Sequence, residues 1–379
     1  MKSNPLLDLQ NLGQSIWMDF IRRKMITSGE LRQLIEEDGI SGVTSNPSIF
    51  EKAIIESHDY DEAIRTLTLE GKTADEIYQI LMVEDIQMVA DLLRPTFDQT
   101  GRRDGFVSLE VSPRLAHDTT GTIEEACQLW SLVDRPNVMI KVPATHEGLP
   151  AIRQLIGEGI NVNINLLFGL PRYREVADAY ITGLETLVAK GRELRQVASV
   201  ASFFLSRIDV LLDPQFEKMK LAGRLQADSA ALLHGQVAIA SAKVVYQMYQ
   251  VIFGSDRFKK LANKGASPQR LLWASTSTKN PTDSDIKYVE PLIGPDTINT
   301  LPVETLAAYR DHGHPELSLD QNVSRAYRIL NHLSFVGINL NTATQQLEQE
   351  GIEKFVVALE QLMVSLKEKQ AAVLEPLLH

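Results

Sequence analysis

A lysine set among apolar residues has the most chemistry to offer in this sequence. Lys141 interrupts Val138-Met139-Ile140-Lys141-Val142-Pro143, a run that reads as a buried strand. Burial disfavours an ammonium ion and frees some neutral amine. A neutral amine adds to a ketone to give a Schiff base, and the protonated imine then withdraws electrons from a neighbouring bond. The plain alternative is a lysine that snorkels from the strand end to water. Two carboxylates could supply the remaining steps. Asp19 follows Ile16-Trp17-Met18, and Glu110 lies inside Val107-Ser108-Leu109-Glu110-Val111. Imine formation needs a proton for the departing hydroxyl, and carbon–carbon cleavage needs a base on a substrate hydroxyl. Two acids in different environments can divide those tasks. In a purely structural role, Asp19 would bond a neighbouring strand and Glu110 would neutralise Lys141 or Arg114.

Other polar residues fall where apolar runs end. Thr44-Ser45-Asn46-Pro47 follows one run, and Asn161, Asn163 and Asn165 alternate along another. Strand alternation puts these three on one face, so Asn165 is expected to point inward beside Lys141 and Glu110. Asparagine donates and accepts, which suits sugar hydroxyls, although buried asparagines also tie loops together. Ser202 ends the next run, with Phe204 and Arg207 just beyond, and Ser275, Thr276, Ser277, Thr278 and Lys279 follow the one after. Arg207, the hydroxyl cluster and Lys279 are compatible with a phosphate clamp, or are solvated loop residues. Familiar signatures fail on inspection. Gly157-Glu158-Gly159 has Val162 where a dinucleotide fingerprint has its third glycine, and Gly71-Lys72-Thr73 has Thr66 where a P-loop has its first. His312-Gly313-His314 is expected in a loop beside Pro315 without a metal partner. No cofactor or metal motif remains.

The elements that must position these residues alternate along the chain. Strands are predicted at Ser15–Asp19, Gly42–Thr44, Gly105–Val111, Val138–Val142, Ile160–Leu166, Gln196–Ser202 and Leu271–Ala274, with an eighth within Tyr288–Thr300. Capping boxes are read at Thr27/Glu30, Thr73/Glu76 and Thr122/Glu125. One helix is predicted from Pro171 to Gly191, and a long helical segment from Asp213 to Phe253. Eight strand–helix units predict an α/β chain closed into a (β/α)8 TIM barrel, with an open doubly wound sheet as the rival. Barrel sites assemble at the C-terminal ends of the strands, where the residues above lie. The chain exceeds a barrel of about 250 residues. Additional helices are therefore expected after strand two, after strand six and at the C-terminus. The whole of 1–379 is expected to be a single domain, with a core at about 15–310 and C-terminal helices at about 311–379.

Composition sets the frame. Of 379 residues, 44% are apolar and 23% charged, which is ordinary for a globular protein. Asp plus Glu outnumber Lys plus Arg by 49 to 38, a net charge of −11, which argues against a chain-wide nucleic-acid or anionic-membrane surface. Cys127 is the only cysteine, so an internal disulfide is excluded, as suits a reducing cytosol. The opening Met1-Lys2-Ser3-Asn4-Pro5-Leu6-Leu7-Asp8 lacks the order of a secretory signal. No window approaches the ~18 apolar residues of a membrane span, and a cytoplasmic protein is expected.

Taken together, these segments resemble transaldolase, in the longer form found in many bacteria and plants. The matching strings are Gly42-Val43-Thr44-Ser45-Asn46-Pro47-Ser48-Ile49-Phe50, Ser108-Leu109-Glu110-Val111 with Arg114, and Met139-Ile140-Lys141-Val142-Pro143-Ala144-Thr145. Gly159-Ile160-Asn161-Val162-Asn163, Ser202-Phe203-Phe204-Leu205-Ser206-Arg207-Ile208-Asp209 and Leu272-Trp273-Ala274-Ser275-Thr276 continue the order. The resemblance implies a barrel with the Schiff-base lysine on strand four and no cofactor. It implies transfer of a dihydroxyacetone unit from sedoheptulose 7-phosphate or fructose 6-phosphate to glyceraldehyde 3-phosphate or erythrose 4-phosphate. Sugar phosphates are thus the implied partners, for a monomer or homodimer. By resemblance, Lys141 is the nucleophile, Glu110 assists dehydration and hydrolysis through a water, and Asp19 takes the C4 hydroxyl proton. Asn46, Asn163 and Ser202 bind hydroxyls, Arg207 and Ser275 grip phosphate, and Phe204 lines the site. Two positions depart from the pattern. Asn165 stands where shorter members have a threonine that holds water. Ser277 stands where a second phosphate-binding arginine would lie, and Lys279 is its candidate replacement. A fructose 6-phosphate aldolase that releases free dihydroxyacetone is the nearest alternative. A non-catalytic barrel that binds a protein partner is the alternative of another class.

Overall fold

The apolar runs become eight parallel strands: β1 (Gln14–Met18), β2 (Gly42–Thr44), β3 (Phe106–Glu110), β4 (Val138–Pro143), β5 (Val162–Leu167), β6 (Ser199–Phe204), β7 (Arg270–Ala274) and β8 (Thr297–Leu301). Each pairs with the next, and β8 returns to β1 from Thr297 opposite Gln14 to Leu301 opposite Met18, closing the barrel. Closure eliminates the open-sheet rival and establishes the (β/α)8 TIM barrel. The computed structural model describes residues 4–221 and 227–375. Every strand residue is buried, so polar side chains within the strands must find partners inside the protein.

The connections carry the surplus length. α1 (Pro5–Asn11), which the sequence reading does not anticipate, precedes β1, and Asn4 caps it by accepting from Leu6 N at 3.1 Å. α2 (Arg23–Thr27) and α3 (Glu30–Asp38) lead to β2, and α4 (Pro47–Ile55), α5 (Asp61–Leu69) and α6 (Ala74–Gln99) lead to β3. Single helices α7 (Thr119–Val133), α8 (Gly148–Glu158) and α9 (Leu170–Ala189) follow β3, β4 and β5. After β6 come α10 (Ser206–Leu221), α11 (Ala227–Leu233), α12 (Val237–Phe253) and α13 (Asp256–Ala262). α14 (Val303–His312) follows β8, then α15 (Val323–His332) and α16 (Leu340–Leu374). The additional helices stand at the three expected places.

Several local expectations are corrected. The box at Thr73/Glu76 forms, but that at Thr27/Glu30 does not. Thr27 is the last residue of α2 and bonds back to Arg23 O at 3.1 Å, while Gly29, at φ +87°, heads α3. Thr122 and Glu125 do not open α7 either. Asp118 caps it four residues before Thr122 by accepting from Gly121 N at 3.0 Å, Thr122 bonds Leu115 O at 2.9 Å, and Glu125 accepts from Ser112 N at 2.9 Å. The helical segment expected from Asp213 begins at Ser206 and comprises separate helices, with residues 222–226 outside the described chain. β6 runs to Phe204, so Ser202 lies within the strand rather than at its end. His312 is not in a loop: it ends α14 and pairs with Asp285 at 3.0 Å.

The long helix α16 crosses the C-terminal face of the barrel. It packs on α4, α10 and the short turn Pro113–Leu115, which leave the C-terminal ends of β2, β6 and β3, and on β5 itself. The close approach requires Gly351. A Cβ there would stand 2.8 Å from a Leu166 methyl carbon, so a larger residue would require the Leu166 side chain or the helix to shift.

Candidate active site

Register does most of the positioning. Glu110 on β3 lies opposite Lys141 on β4, Lys141 lies opposite Asn163 on β5, and Asn165 lies opposite Pro143. Alternation then turns these side chains to one face. Lys141 Nζ donates to Ser45 O at 3.0 Å and stands 3.5 Å from Glu110 Oε2, with both side chains almost fully buried. Asn165 Nδ2 donates to the other carboxyl oxygen, Glu110 Oε1, at 2.7 Å. Asn165 therefore stands beside Glu110, as strand alternation predicts. Glu110 Oε2 and Asn165 Oδ1 accept no hydrogen bond from the protein.

Electrostatics at Glu110 favour a retained proton. Burial pushes its carboxyl above the ordinary range. Lys141 and Asn165 pull it down, and the nearby negative charge of Asp19 pushes the same way as burial. An amine beside a protonated carboxyl can attack a ketone and lose the resulting hydroxyl as water. Asp19, directly after β1, accepts from Thr44 Oγ1 at 2.7 Å, and Thr44 is in turn 3.2 Å from Thr300 Oγ1. That hydroxyl pair fixes one Asp19 oxygen and leaves the other for a substrate proton.

Asn163 is held at both ends of its amide. Its Nδ2 donates to Ser108 Oγ at 3.0 Å, and its Oδ1 accepts from Ser202 Oγ at 2.6 Å. Asn46 caps α4 by accepting from Ile49 N at 3.1 Å, so its oxygen is committed and its amide donors remain for a ligand. Asn161 is not brought into this group. It precedes β5 and ties strand starts together, donating to Pro136 O and Val138 O and accepting from Ala198 N. Arg114 is 4.0 Å from Glu360 on α16 and shares with Glu110 the lining of a separate space.

Two cationic side chains, Arg207 and Lys279, come near one another after β6 and β7. Arg207 lies in the first turn of α10, its guanidinium 5.9 Å from the centre of the Phe204 ring, and Phe204 packs 5.3 Å from Phe168. Arg207 Nη1 is buried without a partner. Burial lowers the guanidinium's proton affinity, and only the carboxylates of Glu350 and Asp19 oppose it. Such a cation is underpaired and suited to an anion. Ser275 sits at φ +54°, its hydroxyl 2.9 Å from Ser206 Oγ. Lys279 bonds Ser277 Oγ. Burial lowers the Lys279 amine, Glu304 opposes that shift, and Arg207 adds to it.

Sequence reasoning did not single out Thr44, Ser45, Ser108 and Thr300 as partners. Thr44 and Thr300 carried a usable signal, as hydroxyls at the C-terminal ends of barrel strands. Ser45 carried none, because its carbonyl rather than its side chain makes the contact.

The family described as Transaldolase/Fructose-6-phosphate aldolase matches residues 16–366. A protein of a Nostoc species named Transaldolase 2 is 47% identical over 375 residues, covering 97% of this chain and 98% of its own. Proteins named Transaldolase in Trichodesmium erythraeum and Saccharopolyspora erythraea are 46% and 44% identical over 373 residues, again covering 97% of this chain.

Proposed function

The chain belongs to the transaldolase/fructose-6-phosphate aldolase family, and from that premise we propose how its barrel mouth works. The protein is a transaldolase. It moves a dihydroxyacetone unit from sedoheptulose 7-phosphate or fructose 6-phosphate to glyceraldehyde 3-phosphate or erythrose 4-phosphate, through a Schiff base on Lys141. The observation that carries this reading is the Lys141 amine 3.5 Å from a buried carboxyl that favours its proton.

Lys141 adds to the C2 ketone, and Glu110 gives a proton to the hydroxyl that leaves as water. The iminium accepts the electron pair of the C3–C4 bond while Asp19 takes the C4 hydroxyl proton, and the aldose phosphate departs. The acceptor aldehyde then re-forms a bond at C3, Asp19 returns the proton, and water hydrolyses the imine. Asn46, Asn163 and Ser202 hold hydroxyls of the three-carbon unit, with Phe204 as an apolar wall. Arg207, Ser275 and Lys279 hold the phosphate, Lys279 in place of a second arginine. Asn165 positions Glu110. The whole chain acts as one domain, a monomer or homodimer in the cytoplasm, with no nucleic-acid or membrane partner. A net charge of −11 and the lack of a membrane-length apolar helix among the described residues support that placement.

Relatives at 43–47% identity that carry the name transaldolase favour transfer over release of free dihydroxyacetone. The experiment is borohydride reduction with fructose 6-phosphate, followed by digestion and mass spectrometry. A reduced three-carbon adduct on Lys141 is expected, and erythrose 4-phosphate should be released. An adduct on another lysine would overturn the assignment.

A further inference from the structure

A second space meets the barrel mouth at Glu110. It is a cavity of about 250 Å³ between α6, α7, the Pro113–Leu115 turn and α16, with Tyr78, Gln79, Glu125 and Leu359 on its wall. Lys141, Asp19 and Arg207 do not line it. Glu110 alone of the proposed catalytic groups does, and its Oε2, 3.5 Å from the Lys141 amine, is buried without a hydrogen bond from the protein. The same lining includes a second carboxyl, Glu125, whose Oε2 accepts from Ser112 N at 2.9 Å. Burial favours the protonated forms of Glu110, Glu125 and Tyr78 alike. Hydroxyl and carboxyl groups around a space this size can hold several waters.

The proposed imine chemistry has a traffic problem that this space would solve. Condensation of the amine with the ketone forms one C=N bond and breaks the C2–O bond. The oxygen leaves as one water carrying the amine's two protons, and hydrolysis is the reverse. Both steps occur while a sugar phosphate fills the mouth from the Lys141 end to Arg207. We infer that the cavity behind Glu110 is a water port, through which the expelled water leaves and the hydrolytic water arrives while the sugars use the mouth. Tyr78 and Glu125 are positioning residues that order water up to Glu110. The inference rests on the proposed Schiff-base reading.

Oxygen exchange tests it. In water enriched in oxygen-18, each cycle of imine formation and hydrolysis replaces the C2 oxygen of fructose 6-phosphate. Gln79→Trp fills the cavity from α6, while Tyr78→Phe and Glu125→Gln change its polarity at nearly constant volume. Enzyme-dependent exchange should fall about fivefold or more in Gln79→Trp. In the other two it should fall about two- to fivefold, as loss of one hydrogen bond predicts. Transfer from a preformed Lys141 imine to acceptor should stay at the wild-type rate. Wild-type exchange in Tyr78→Phe and Glu125→Gln would overturn the port, and so would equal losses in exchange and transfer, which indicate a structural role. A wild-type protein that forms no imine on Lys141 would instead overturn the parent reading, and the port with it.

Discussion

Two lysines among the described residues are nearly inaccessible, and they differ in what surrounds the amine. Lys243 on α12 donates to the carbonyls of Ser318, Leu319 and Gln321. Burial draws its amine down to about 8, against the field of Asp320. Lys141 donates to one carbonyl and faces one carboxyl. A shifted affinity for protons therefore does not mark the reactive lysine, because Lys243 has that property with every N–H engaged. Spare donors beside a buried acid do. Arg207 shares the spare donor with Lys141, since its Nη1 has no partner, whereas Lys243 fastens residues 318–321 to the barrel's outer helices.

The largest effect should come from the lysines themselves. Lys141→Ala should abolish both the borohydride adduct and transfer in a folded protein, and no adduct should migrate to Lys243. Labelled Lys243 in that variant would break the comparison. Glu110→Gln should come next, slowing imine formation by about 10²–10⁴, the usual worth of a general acid. Because burial raises the Glu110 carboxyl, its proton persists above the ordinary carboxylate range. The imine-forming rate should fall as pH rises through that raised value, and the variant should lose this alkaline limb. Arg207→Ala should raise KM for ketose phosphates by about ten- to a hundredfold, from the loss of a charge-assisted pair. Unphosphorylated fructose should be little affected, and equal losses for both sugars would make Arg207 structural.

Lys243→Met should act on stability instead. Three carbonyls lose a charged donor, at a cost of about 1–3 kcal/mol, or about 1–4 °C in Tm for a chain of this size. Transfer per folded molecule should be unchanged, and a kinetic defect without a Tm shift would contradict the assignment. The smallest effect is expected at Asn165→Thr. The Asn165 amide donates to Glu110 and favours its ionised form. A threonine hydroxyl can accept or relay instead, so single-turnover imine formation should gain a fewfold with C–C cleavage unchanged. An unchanged or slower imine step would mean that the site is already adjusted to the amide.

The strands were legible because a charged residue in an apolar run is conspicuous, and a two-residue period says which way it points. Closure and parallel register then brought Glu110, Lys141 and Asn165 together with little further information. Helix starts were less legible, since a capping box counts residues without asking which are already committed. Thr27 is used to end α2, and Asp118 reaches its amide before Thr122 can. Asn46 reads as a ligand but is also a cap, a fact carried by the backbone that follows it. The partners of Lys243 lie some 75 residues away, beyond any local pattern. The course of α16 over the mouth depends on contacts with β5 and four helices that no single window contains.

That roof also has a place in time. Every proposed catalytic and ligand-holding residue, from Asp19 to Lys279, precedes Leu340 in the chain. During synthesis the ribosome therefore releases all eight strands before the helix that covers them. A nascent chain can close its barrel and assemble the amine and its acid while the mouth is still uncovered. Only when Gly351 settles against Leu166 does the pocket acquire its ceiling.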